Sequence, residues 1–203
     1  MKRTLVCCTA AVLLLAPPAQ ADLRTKDIRA REVEKTYAIS GTTGLELYQS
    51  IGARGPRIGN GASSAIALTE FDLKWGRDYK RDGNDCVLAA ARHFLTITYT
   101  LPKPQGKLAP DVAARWRVFI AGMRAHEAVH GKYVVEMAQE IYDTTVGFRQ
   151  PNDPGCKKIR NAIQAPLKAA FTRYKARNRA FEQSEMSTGG NVHQLILRLV
   201  TGP

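Results

Sequence analysis

Residues 126–130 read HEAVH, within the run FIAGMRAHEAVHGKYVVEMAQEIY. Two histidines four residues apart on a helix project from one face, a turn apart, so both imidazoles can reach a single ion. Glu127 stands about 100° further around the helix. From there it can reach a water beside that ion without occupying a ligand position. These residue types at this spacing point to hydrolysis. Zinc held by His126 and His130 would acidify a water and polarise a carbonyl, while Glu127 takes the water's proton as general base and passes it to a leaving amine. The expected cofactor is Zn2+, and the expected activity is that of a zinc metallopeptidase of the His-Glu-x-x-His type.

Such a motif needs a long helix with an apolar inner face, and the surrounding residues supply one. From Asp111, residues Val112, Trp116, Phe119, Ile120, Met123, His126, His130, Tyr133, Val134, Met137 and Ile141 recur at three- and four-residue steps. That periodicity predicts an amphipathic helix to about Gly147, with both histidines in its core stripe. RQPNDPG breaks it. A second helical pattern runs through Ile159, Ile163, Leu167, Ala170, Tyr174, Phe181 and Glu185, interrupted by Pro166 and ended by STGG. VHQLILRLV then closes the chain as a strand or short helix.

The first half of the chain reads differently. VEKTYAIS suggests a short strand, and Thr43 with Glu46 forms a capping-box pattern that opens the helix GLELYQSIG. GPRIGNGAS is loop by composition. Period-two alternation through Ala67, Thr69, Phe71, Leu73 and Trp75, and again through His93, Leu95, Ile97, Tyr99 and Leu101, predicts two half-buried antiparallel strands. KRDGND between them carries turn residues. His93, with no ligand-spaced partner nearby, reads as a sheet histidine. PKPQGKLAP ends the sheet region. The fold class expected is α+β: a small antiparallel sheet followed by long helices, one of them a zincin-like metal-site helix.

The third ligand must come from another element. The extended motif would need a histidine at position 136 and a glycine at 133, where Glu136 and Tyr133 stand. Glu140 and Asp143 also lie off the histidine face. Glu185 is the leading candidate, because a carboxylate on a buried stripe needs a partner. His193 is the runner-up, and Glu182 is rotated off the stripe. If the two long helices pack antiparallel across RQPNDPG, the histidines lie roughly 27 Å from the turn at 1.5 Å per residue. An unbroken helix from Cys156 would carry Glu185 roughly 43 Å away. The two meet only if the chain breaks near Pro166 and restarts there, which suits proline's preference for a first helical turn.

Residues 1–21, MKRTLVCCTAAVLLLAPPAQA, have the layout of a signal peptide: Lys2 and Arg3, a short apolar run, and Ala19-Gln20-Ala21 before the expected cleavage at Asp22. Cleavage removes two basic residues and no acidic one, so the formal net charge falls from +12 to 12 − 2 = +10. The remaining stretch, residues 22–203, is long enough for one domain with a sizeable core. It keeps only Cys86 and Cys156. An even pair in an exported chain, periplasmic or extracellular, reads as one disulfide. Neither cysteine has ligand-spaced neighbours. The basic excess, densest at Arg173, Lys175, Arg177 and Arg179, comes without any nucleic-acid module and reads as a solvated helix face. The expected partner is a peptide or protein substrate. Weak attraction to anionic cell-surface polymers is a minor expected consequence of the charge. No membrane span is expected once the leader is removed.

The segments W…F…HEAVHGK, DPGCKKIR and FEQSEMSTGGNVHQLIL together resemble a bacterial family regarded as secreted zinc-dependent proteases, domain of unknown function 922. The resemblance runs from YAISGTTGLEL onward and is nearest the rhizobial-type members. It implies an exported domain with His126, Glu127 and His130 in their motif roles. Many members carry a Tyr-Asp…Thr-x-His-Gly segment after the last helix. Here FEQSEMSTGG has no histidine, which leaves the third ligand open. The alternative reading, a catalytically inactive, metal-stabilised envelope protein with a binding or structural role, also uses His126 and His130 but has no need of Glu127.

Overall fold

The alternation over residues 67–75 and 93–101 belongs to two strands longer than the pattern that reveals them. In the computed structural model, which describes residues 28–59 and 63–201, the elements run β1 (Arg31–Ile39), α1 (Gly44–Arg54), β2 (Arg57–Ile58), β3 (Ser63–Ser64), β4 (Leu68–Asp82), β5 (Asp85–Pro104), α2 (Pro110–Thr145), β6 (Arg149–Gln150), α3 (Ile159–Ala162), α4 (Gln164–Met186) and α5 (Asn191–Thr201). The leader expected over residues 1–21 lies outside the described residues. β4 and β5 form one antiparallel hairpin closed at Asp82↔Asp85, with a register shift at Asp78/Tyr79. Gly83 turns it with φ +61°, a backbone that glycine adopts without steric cost. The strands continue through residues that do not alternate because a ladder needs only backbone partners.

β5 is the central strand, with β4 on one side. On the other side β1 pairs with its far half and β6 with Cys86 and Val87. The β1–β5 pair is parallel, so the sheet, expected to be antiparallel throughout, is mixed. The α+β class stands. Thr43 caps α1 as expected: its hydroxyl accepts the Glu46 N–H at 3.2 Å, and the Glu46 carboxylate accepts the Thr43 N–H at 3.2 Å.

α2 is 36 residues long and begins at Pro110, whose missing N–H costs nothing at a first helical position. Its two halves serve different cores. Val112, Trp116, Phe119, Ile120 and Met123 pack with Ile39, Leu47, Ile51 and Leu101, and with Val192, Leu195 and Leu199 of α5. Val134, Met137, Ala138 and Ile141 pack on Leu95 and Ile97 of the sheet and on Ala170 of α4. α5 resolves the strand-or-helix ambiguity of the C-terminal segment as a helix, because its buried residues fall at three- and four-residue steps. A Cβ on Gly122 would lie 2.3 Å from a Leu195 methyl, which shows how closely α5 sits on α2.

A third, smaller core forms around Cys86, Leu88, Ile159 and Ile163. Cys86 and Cys156 are disulfide-bonded, as the cysteine count implied, with Cα atoms 5.2 Å apart. Beside the bridge, Asp153 is buried and accepts the N–H groups of Lys157 at 2.8 Å and Ile159 at 2.9 Å. The helix break needed to bring α4 to the histidines is present: α3 stops at Ala162 and α4 restarts at Gln164, two residues before Pro166.

Candidate metal centre

His126 and His130 lie in the gap between the two large cores of α2, 4% and 8% exposed. Burying an imidazole in an apolar stripe is unfavourable unless both nitrogens find partners. On the Nδ1 side they do. His130 Nδ1 lies against Asn178 Oδ1. The Asn178 amide nitrogen donates to Tyr174 O at 2.7 Å, which turns Oδ1 toward the ring. His126 Nδ1 lies 3.4 Å from Glu185 Oε2. Both acceptors require a proton on Nδ1, so a neutral ring carries its lone pair on Nε2.

Those two Nε2 atoms face each other at 3.2 Å, and Glu182 Oε1 lies 3.3 Å from one and 2.8 Å from the other. Three lone pairs therefore converge on one small volume. With bonds of about 2.0–2.1 Å, the ligand atoms of a tetrahedral site sit roughly 3.3–3.4 Å apart. Two of the observed separations, 3.2 and 3.3 Å, are close to those edges, and the third, 2.8 Å, is shorter. His126, His130 and Glu182 could hold a metal ion, and the chemistry of the donor set fits one. Asn178 and Glu185 then act behind the ligands, fixing tautomer and ring orientation. Phe181 stacks on His126 with ring centroids 4.8 Å apart and meets His130 edge-on, which limits ring rotation.

The electrostatics of the group favour a cation. Hydrogen bonding to His126, then to His130, brings the Glu182 carboxyl down to about 2, so it stays ionised. Burial pushes His130 down, but Glu182 and Asn178 outweigh burial and raise it overall. A proton and a metal compete for the same lone pairs.

Glu127 is 4% exposed. Burial lifts its carboxyl above the ordinary range against the opposing effect of Thr69, whose hydroxyl donates to Oε2 at 2.5 Å. Thr69 is the second residue of β4, so a sheet edge sets the position of a carboxylate on α2. The carboxylate lines the same cleft as the histidines and Glu182, a cavity of about 910 Å³ between residues 64–69, α2 and α4.

Glu185, the leading candidate for third ligand, lies against the outward nitrogen of His126, whereas the Glu182 carboxylate lies nearest both Nε2 atoms. Asn178, Glu182 and Glu185 stand at i, i+4 and i+7 on α4, a polar stripe that the apolar reading of this helix passed over. A ligand that also faces a substrate cleft belongs at the margin of the core, and the Glu182 side chain is 50% exposed. His193 turns away: its Nδ1 accepts the Gly189 N–H at 3.4 Å. His93 is a sheet histidine as expected, with Nε2 accepting the Arg29 N–H at 3.1 Å.

Residues 34–190 match the model of a family described as bacterial protein of unknown function (DUF922). The matched span is well over half of the chain and contains every residue of the centre. No curated protein and no solved structure matches the chain.

Proposed function

The chain belongs to the DUF922 family of bacterial proteins, and from that premise we propose that it is an exported zinc-dependent metallopeptidase. The observation that carries the reading is the convergence of two imidazole lone pairs and one carboxylate oxygen within a cleft. Two imidazoles, one carboxylate and an open side make up a catalytic zinc set, whereas a structural zinc closes all four positions. When bound, the ion supplies a Lewis acid that acidifies a water and polarises a carbonyl.

The chain's own residues do the rest. Asn178 and Glu185 hold the two rings in the tautomer that presents Nε2. Thr69 holds Glu127 in the cleft wall. Glu127 takes the proton of the attacking water and returns it to the leaving nitrogen. Its raised affinity for protons suits that exchange, because a base acts best with a pKa near the working pH. The cleft supplies a seat for a peptide segment.

Export is supported by the disulfide, which persists in oxidising compartments. Among the described residues no helix is long and apolar enough to cross a membrane. Residues 22–203 act as one domain in this reading.

The test is a cleavage screen of the zinc-loaded protein and Glu127→Gln on a broad set of fluorogenic peptides. The substitution keeps the size and much of the hydrogen bonding, so fold and metal content stay. Cleavage falls by roughly a hundred- to ten-thousand-fold. Equal cleavage by Glu127→Gln would remove the mechanism. A wild type that holds zinc and cleaves nothing would favour the binding or structural role.

A further inference from the structure

Residues 173–179 of α4 carry four cations in alternate positions, and the fold sorts them into two sets. Arg173 pairs with Glu140 and Arg177 with Glu136, which clamps α4 onto α2. Lys175 and Arg179 point the other way and line the cleft, with no ion-pair or hydrogen-bond partner among the described residues. The opposite end of the same cleft is apolar. Met123, Met186, Ile58 and Ile66 line it, and Ile58 and Met186 are exposed there.

The order along the cleft follows from the antiparallel packing of α2 on α4. Met123 is one turn before His126 on α2, and Met186 is one turn after Glu182 on α4. His130 meets Asn178, and beyond it Arg177 meets Glu136. At 1.5 Å per residue, Arg179 lies roughly 5 Å and Lys175 roughly 10 Å along α4 from Glu182, on the side away from the methionines. The start of β4 and the residue before it give the same order: Ala67 packs with Met123's core, Thr69 bonds Glu127, and Phe71 meets Tyr174. The metal group lies between the apolar end and the cationic end.

We propose that this cleft selects peptides with an apolar side chain on one side of the bound segment's centre and a carboxylate on the other, the carboxylate held by Lys175 and Arg179. An extended peptide advances about 3.3 Å per residue. The cations therefore meet a side chain roughly one to three residues from the group at the metal. Their charges also gather anionic segments from solution and repel basic ones. The substrate class rests on the hydrolase reading, but the binding preference can be measured without turnover.

The experiment is fluorescence anisotropy with the full-length protein and fluorescein-labelled, end-blocked octapeptides. Each peptide has one leucine, with Asp, Asn or Lys placed two residues before or after it, the rest being alanine and glycine. The better-oriented Asp peptide binds about thirtyfold tighter than its Asn counterpart at low salt, from two unit charges at contact distance in water. The advantage shrinks as salt rises. The double substitution Lys175→Glu, Arg179→Glu, at two exposed positions, reverses the order so that the Lys peptide binds best. Asp, Asn and Lys peptides bound alike, or a preference untouched by the charge reversal, would overturn the proposal. Charge-selective binding without cleavage would leave this inference standing while the hydrolase reading falls. Cleavage indifferent to charge would do the opposite.

Discussion

Reducing the Cys86–Cys156 bridge changes no side chain's size, so it isolates the effect of the cross-link. The bridge closes a loop of 70 residues. The chain-entropy relation for a loop of that length gives about 4 kcal/mol of stabilisation, all from the unfolded ensemble. For a chain of this size each kcal/mol moves the melting temperature by about 2–4 °C. The reduced protein is therefore expected to melt about 10 °C below the oxidised one. The bridge also anchors the small core of Leu88, Ile159 and Ile163, on which α3 and the start of α4 rest. The assay is circular dichroism melting of oxidised and reduced protein at one pH, both with chelator so that a bound metal does not mask the difference. Melting temperatures within about 2 °C of each other would refute the loop-entropy reasoning for this bridge.

Gly131→Ala would place a Cβ 2.1 Å from the Tyr99 hydroxyl oxygen and 3.0 Å from its ring carbon. It should destabilise by about 1–3 kcal/mol, with part recovered in Gly131→Ala, Tyr99→Phe; thermal melts showing no loss, or no recovery, would contradict this. Glu182→Gln should cost far more zinc affinity than Glu185→Gln, a ligand against a group that orients one, the latter costing about ten- to a hundred-fold. Competition with a chromophoric chelator measures both, and the reverse order would restore Glu185 as ligand. Burial raises the Asp153 carboxyl, but the N–H groups of Ile159, Lys158 and Lys157 outweigh it and hold the group below its ordinary 3.8. Its stabilising contribution is thus present above the unfolded value and lost as pH falls through the folded one. Urea denaturation should show a stability gap between wild type and Asp153→Asn at pH 7 that narrows below about pH 4; a gap independent of pH would show that the charge is not what matters.

Where one physical signal dominated, the sequence was readable. α2 is visible because its apolar residues keep helical spacing from Val112 to Ile141, and the histidines lie within that stripe. Thr43 and Glu46 marked the start of α1 because a capping box satisfies two backbone donors locally. The parallel pairing of β1 was not readable, since alternation specifies a face and not a partner. Nor was the full length of the hairpin, because GRDYKRD and CVLAAA carry no alternation. Glu182 is rotated off the stripe of Phe181 and Glu185. Its carboxylate nevertheless reaches both rings, because a long side chain at the edge of a helix-helix contact can bridge the gap. Asn178 and Thr69 had no sequence signal of their own; tertiary packing alone brings them to His130 and Glu127. The run Arg173, Lys175, Arg177 and Arg179 reads as one solvated face, whereas the structure divides it between a clamp on α2 and the wall of the cleft.

On the proposed reading, the three lone pairs of His126, His130 and Glu182 converge on a zinc ion. Diffraction data from crystals of the zinc-loaded protein, collected on either side of the zinc absorption edge, test it directly. One strong anomalous peak per chain is expected, within about 2.0–2.2 Å of His126 Nε2, His130 Nε2 and a Glu182 carboxylate oxygen, with a further position open to the cleft. No peak between these residues would contradict it, as would a peak whose ligands leave out either histidine.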